Sequence, residues 1–144
     1  MRFFRRETAV DEVTGKMRRM ADLFVGAAAK FGVTSFDYSE RSIGDLDDWA
    51  DRLWDPAGPQ PGPAELDSSA KTMGAYLGEV IIRNLGGRWV WVEAEGMSQP
   101  AVALPGGGNA MVANKAFKRQ LNGRDDSFDA FYAAAKEHVA TART

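Results

Sequence analysis

The sequence predicts an α+β fold, about five helices packed on a small antiparallel sheet of two or three strands. Three observations carry that expectation. Apolar residues recur at steps of three and four over residues 10–31, 43–53 and 66–85, the spacing of one buried helix face. The segment Arg88-Trp89-Val90-Trp91-Val92-Glu93-Ala94 is aromatic, β-branched and alternating, as a strand requires. Strands do not alternate with helices along the chain, which argues against a doubly wound parallel sheet.

In order, the first helix carries Val13, Met17, Met20, Phe24, Ala28 and Phe31 on one stripe and stops at Gly32. Gly15 weakens its first turn, and residues 1–9 read as a short extended arm or a frayed turn. Phe36-Asp37-Tyr38-Ser39 is an extended lead-in to a second helix, with Ser42 as cap and Asp45 three residues on. Ile43, Leu46, Ala50 and Leu53 form its apolar stripe, with Trp49 and Trp54 beside it, and Asp45, Asp47, Asp48 and Asp51 load its polar face. Residues 55–63 hold four of the six prolines and read as a semi-rigid connector between two helices of a single domain spanning 1–144.

The third helix, Ala64 to about Leu85, is apolar over a wide arc, the mark of a central helix touched on several sides. Gly74 and Gly78 leave it a flat strip for another backbone. Gly86-Gly87 ends it. After the strand at 88–94, a loop over Glu95 to Pro100 leads to a second strand at Ala101–Leu104. Ala110-Met111-Val112 is a short third strand. Asn114 then caps a helix carrying Phe117, Gln120 and Leu121 and stopped by Asn122-Gly123, and Asp126 or Ser127 caps a last helix with Phe128, Phe131, Tyr132, Ala135 and Val139.

A chain of 144 residues can bury roughly two-thirds of its unfolded surface and needs no staples. The longest apolar or glycine run, near Leu23 to Ala29, is far short of the roughly 20 residues needed to span a bilayer. The start is charged with no apolar stretch behind it, so a secretory signal is not expected. Without cysteine, disulfides, thiol catalysis and cysteine metal sites are excluded. The net charge of −2 hides an acidic middle, nine Asp/Glu against two Arg/Lys over 37–67. That pattern and a pI near 5.4 do not suit a nucleic-acid binder. Arginine outnumbers lysine twelve to six, the bias of a GC-rich bacterial genome, and the cytoplasm is the default compartment.

Few residues offer chemistry. His138, the one histidine, lies near the end of the last helix, where a cation needs no function to be favourable. The aspartates around Asp47 and Asp51 could hold magnesium, but no phosphate-binding motif accompanies them, and a solvated face explains them. Gly106-Gly107-Gly108 could offer backbone N–H groups to an anion, although it lacks a P-loop lysine and reads more simply as a turn. Glu79 sits in the most apolar helix and must be paired if buried. Arg83, four residues on, is the first partner, and Arg88 or a tryptophan indole the alternative. Trp89 and Trp91 share one sheet face, which is either core or an exposed binding surface.

Three stretches together resemble a group of bacterial, largely actinomycete, proteins that carry a domain of unknown function. They are Asp37-Tyr38-Ser39-Glu40-Arg41-Ser42-Ile43; Gly74-Ala75-Tyr76-Leu77-Gly78-Glu79-Val80 with Gly87-Arg88-Trp89; and Leu121-Asn122-Gly123 with Asp126-Ser127 and Phe131-Tyr132. In that group an Asp-Tyr-Ser lead-in, a GxYLGE helix, a GGxW strand and a terminal NGxxDS…FY helix recur. The likeness covers roughly residues 35–133. It implies a shared fold and a bacterial origin, and it carries over no catalytic residue.

By subtraction, the sequence points to a non-enzymatic cytoplasmic protein that binds another protein, with Asp47, Asp51, Trp89, Trp91 and the loop from Glu95 to Pro100 as candidate contacts and no cofactor or metal. The alternative is a small-ligand binder or enzyme using Glu79, Tyr38 and Arg88 in a cleft between the central helix and the sheet. A third idea is a basic arm, Arg2, Arg5 and Arg6 beside Phe3 and Phe4, docking on a membrane or acidic partner. Partner identity and oligomeric state are not written in the sequence.

Overall fold

Apolar spacing decides which face of each helix turns inward. In the computed structural model the backbone is described for residues 2–53, 57–94 and 96–143, and the side chains for the same residues except 2–11 and 94. Helix α1 spans Arg2–Lys30, α2 Ser42–Leu53 and α3 Pro63–Leu85. Strands β1 Arg88–Ala94, β2 Met97–Ala103 and β3 Asn109–Ala110 follow, then α4 Val112–Asn122, a 3₁₀ turn at Gly123–Asp126 and α5 Phe128–Ala142. The fold is α+β, five helices against a three-stranded antiparallel sheet in the order β1-β2-β3.

Helix α1 buries Val13, Met17, Phe24 and Ala28 of the expected stripe, with Ala21 in addition, while Met20 is half-buried. Two expectations change. Residues 2–9 continue the helix rather than forming an extended arm. Phe31 lies past the helix end and is 75 % exposed, because Lys30 is the last helical residue and the chain turns through Gly32 at φ +83°. The side chains of Arg2, Phe3, Phe4, Arg5 and Arg6, and all of Trp54, lie outside the described residues.

Helix α3 is the central element. Every residue from Met73 to Ile81 is buried, so it is wrapped on all sides. The two glycines serve different neighbours. At Gly74 the backbone of α4 approaches so closely that a Cβ would stand 3.0 Å from Ala113 Cα. At Gly78 the neighbour is a side chain, since a Cβ there would overlap the Trp89 indole. An aromatic cluster fixes α1 and α2 on this helix, with Phe24 4.9 Å from Phe36 and Phe36 5.1 Å from Tyr76. Edge-to-face pairs of this kind add about 0.5–1.5 kcal/mol beyond area burial.

In the sheet, Arg88 pairs with Ala103 and Ala94 with Met97, while Val102 pairs with Ala110. Trp89, Val102 and Ala110 therefore share the face against the helices, and Val90 and Val92 take the other. Strand β2 begins at Met97, inside the segment expected as a loop. Gly96, just ahead of it, holds φ +76°, and Glu95 lies outside the described residues. Pro100 is tolerated within β2 because β3 pairs with Val102 and Ala103 alone, leaving one side of β2 unoccupied at the proline. Strand β3 is shorter than expected and α4 starts at Val112, ahead of the predicted Asn114 cap.

Ser42 also differs from its expected role as a cap. Its buried hydroxyl bonds the Ser39 carbonyl and the Tyr76 hydroxyl, each at 2.6 Å, and so joins α2 to α3. Ser127 does cap α5, its Oγ accepting from the Ala130 N–H at 3.1 Å.

Candidate functional site

Glu79 is 2 % exposed, and its two oxygens are claimed from opposite sides. Arg83 donates to Oε1 from Nη2 at 3.0 Å and from Nε at 3.2 Å. The Trp89 indole N–H donates to Oε2 at 2.8 Å. Both partners weighed from the sequence, the arginine one turn on and a tryptophan indole, bind at once, and Arg18 adds a long ion pair at 3.9 Å. Arg88 takes no part. The indole that meets Glu79 is the one seated over Gly78, so consecutive residues of α3 supply the socket and the acceptor for Trp89.

Arg83 carries the network outward. Its guanidinium lies 3.6 Å from the centroid of the Tyr38 ring. Tyr38 is stacked on Tyr76 at 5.0 Å and donates from its hydroxyl to Asp22 at 2.5 Å. Burial, then the Asp22 carboxylate, pushes the Tyr38 hydroxyl well above its ordinary pKa. Tyr38 is a non-glycine residue with φ +65°, held there from both sides: its N–H donates to Tyr76 Oη at 3.0 Å and its carbonyl accepts from Asn84 at 2.9 Å.

A second interior charge pair was not anticipated. Asp47, expected on a solvated acidic face, is completely buried. Its Oδ1 accepts from Arg119 Nε at 2.7 Å and from the Phe128 N–H at 3.0 Å, and its Oδ2 accepts from the Asp129 N–H at 3.0 Å. It thus satisfies first-turn amides of α5, where the helix dipole favours an anion. Arg119, also buried, donates from Nη2 to the Asp47 carbonyl at 3.0 Å and to Asp51 Oδ1 at 2.6 Å. Arg124 closes the rim on Asp51 at 2.8 Å and Asp48 at 2.9 Å. The signal was present in the spacing. Asp47 falls four after Ile43 and three before Ala50, and Arg119 falls seven after Val112 and three after Ala116, each on the buried stripe of its helix.

The rim carboxylates give this arrangement a pH signature. The Arg119 hydrogen bond holds Asp51 below the ordinary aspartate value. The Tyr132 hydroxyl does the same for Glu40, and Lys115 for Asp126. A carboxyl depressed in the folded state contributes stability that is complete above its unfolded pKa and is lost as pH falls through the folded one. Urea midpoints should therefore hold from neutrality to about pH 5 and fall below about pH 4. The fall should be shallower in Asp51→Asn, and equal slopes in the two proteins would remove Asp51 from this account.

The remaining candidates separate. Trp89 is buried in the core, whereas Trp91 is 51 % exposed with Lys16 Nζ 5.9 Å from its ring. Asp51 keeps an exposed edge, and Asp47 offers no atom to a partner. Arg88 is exposed at the start of β1, beside the Gly106–Gly108 turn and away from Glu79 and Tyr38. Among the described residues no group of three or more acidic or histidine side chains could hold a metal ion, and no helix is long and apolar enough to cross a membrane.

Glu79 lines neither of two surface hollows. The first, about 540 Å³, lies between Arg88 and the glycine turn. The second is a groove of about 490 Å³ among α1, α2 and α3, floored by Phe24, Trp49, Leu53 and Met73 and flanked by Asp22 and Lys30. Leu23 is 69 % exposed on its wall. Phe31 is close by, its ring 6.1 Å from that of Trp49. Sequence reading placed Phe24 and Leu53 in the core and did not foresee the groove, because three helices separated in sequence make it.

Comparison with protein-family models, curated proteins and solved structures found no match for this chain.

Proposed function

We propose that this chain is a non-enzymatic binding protein of the bacterial cytoplasm that takes an amphipathic helix of another protein into the groove among α1, α2 and α3. The observation that carries this reading is the internal pairing of the interior charges. Glu79 is closed by Arg83 and Trp89, and Asp47 by Arg119 and the start of α5. A general acid or base must reach a substrate proton, and neither carboxylate lines either of the two hollows described above. The motifs behind the family resemblance fit the same reading. Tyr38, Tyr76, Gly78, Glu79, Trp89 and Ser127 each serve a packing or capping contact in this chain.

What is left for recognition is surface. The groove presents an apolar floor with exposed Leu23 and Phe31 beside it, the composition of a helix-docking site. Asp22 and Lys30 stand about 12 Å apart along α1 by helix rise, so a docked helix is oriented with a basic end at Asp22 and an acidic end at Lys30. The compartment and bacterial origin rest on the residue usage and the motifs.

A photo-cross-linking residue at position 31 tests this in the native cytoplasm. A discrete partner, cross-linked through an amphipathic helix and lost in Ala27→Arg, is the expected result. No adduct at position 31, or one unaffected by Ala27→Arg or formed equally from position 121 on α4, would overturn it.

A further inference from the structure

The hollow beside Arg88 is built unlike the rest of the surface. Gly107 and Gly108 of the turn joining β2 to β3 line it, and in that turn Gly106, Gly107 and Gly108 hold φ of +87°, +106° and +84°. Three consecutive residues in that region demand glycine. The turn is nevertheless held firmly. Leu104 N–H donates to the Gly108 carbonyl at 2.9 Å and Gly107 N–H to the Leu104 carbonyl at 3.1 Å. His138 Nε2 lies 2.7 Å from the Gly107 carbonyl, and since that oxygen can only accept, Nε2 carries the hydrogen. Ala142 lies so close beneath Gly106 that a Cβ there would overlap it. The end of α5 thus pins the turn from behind.

The donors are what the fold leaves over. Gly107 donates within the turn, whereas the N–H of Gly108, a residue that lines the hollow, has no acceptor among the described residues. Arg88 has no ion pair or side-chain hydrogen bond there, although the chain pairs Arg83, Arg119 and Arg124 with acids. No acidic side chain lines the hollow; Leu104, Pro105 and Asn109 complete its wall. A Cβ on Gly107 would meet nothing within 4 Å, so the approach is open.

We infer that the hollow between Arg88 and the Gly106–Gly108 turn binds a small oxyanion, the phosphate or carboxylate group of a small molecule. Arg88 supplies the charge and a forked pair of donors, and the free Gly108 amide adds a fixed dipole. The site is independent of the α1–α2–α3 groove and stands or falls separately from it.

Titration of the full chain with inorganic phosphate, followed by amide NMR, tests the inference. Acetate in a parallel arm separates the two oxyanion classes, and sodium chloride at matched ionic strength controls for screening. Saturable shifts of the Gly108 amide with phosphate, acetate or both, but not with chloride, are expected. Arg88→Gln should weaken the binding about tenfold or more while leaving the rest of the spectrum in place. Shifts reproduced by chloride, no saturable shift in either arm, or equal affinity in Arg88→Gln would overturn it.

Discussion

Arg119→Met is expected to lower the unfolding free energy by roughly 3–5 kcal/mol, a large share of the 5–15 kcal/mol that a domain possesses. Methionine keeps an unbranched apolar stem in the core, so the effect reads the loss of the guanidinium with its charge and its hydrogen bonds. What remains is Asp47, fully buried, with two amide donors from α5 and no cation. Asp51 also loses its inner partner, leaving Arg124 at the surface. The double variant Asp47→Asn/Arg119→Met should recover about 1–2 kcal/mol of the loss, because the asparagine oxygen can still accept from one α5 amide and no charge stays buried. Urea denaturation of the three proteins checks both statements. A single variant within 1 kcal/mol of wild type would show that Asp47 is not held as an anion by Arg119.

Gly78→Ala is expected to destabilise by about 3–5 kcal/mol, against the usual sign for such a change. Within a helix alanine is favoured over glycine by about 0.5–1 kcal/mol. Here the added methyl overlaps the Trp89 indole, which is itself buried between α3 and β1. Relief requires the ring to move, and movement breaks the 2.8 Å bond to Glu79. Overpacking at 1–3 kcal/mol and a lost bond to a charged acceptor at 1.5–3 kcal/mol together exceed the propensity gain. Gly26→Ala is the control, since a Cβ there meets nothing within 4 Å, and it should stabilise by about 0.5–1 kcal/mol. Equal urea midpoints for the two variants would contradict the packing account.

How far these sites were legible follows from the range of the interactions that build them. Periodicity is local, so the helix stripes, the β1 strand and the breadth of α3 were readable, and with them the fold class. Glu79 and Arg83 are one turn apart, so their pair was readable too, whereas the simultaneous claim of Trp89 depended on where the sheet docks. Asp47 and Arg119 are 72 residues apart. Asp47 shares the stripe of Ile43 and Ala50, yet a run of aspartates reads first as solvated. In α4 the expected stripe of Phe117, Gln120 and Leu121 is wrong, since Phe117 and Leu121 are exposed and the helix buries Val112, Ala116 and Arg119 instead, the face that the Asp47 pair turns inward. Tyr38 left no local mark of its left-handed backbone, which Tyr76 and Asn84 impose from α3. The start of β2 was hidden by Pro100, a residue that signals loop unless one knows that β3 stops short of it.

The account rests on the carboxylate of Glu79 being a structural member of the interior. Glu79→Gln keeps the shape and removes the charge that Arg83 and Trp89 share. Its urea midpoint at pH 7, measured beside wild type, is the most direct test. A loss of about 1.5–3 kcal/mol is predicted, which at an m-value of about 1–3 kcal/mol per molar places the midpoint about 1 M lower. A variant that unfolds at the wild-type midpoint while losing a binding or catalytic activity would contradict the account and return Glu79 to the role of a functional acid.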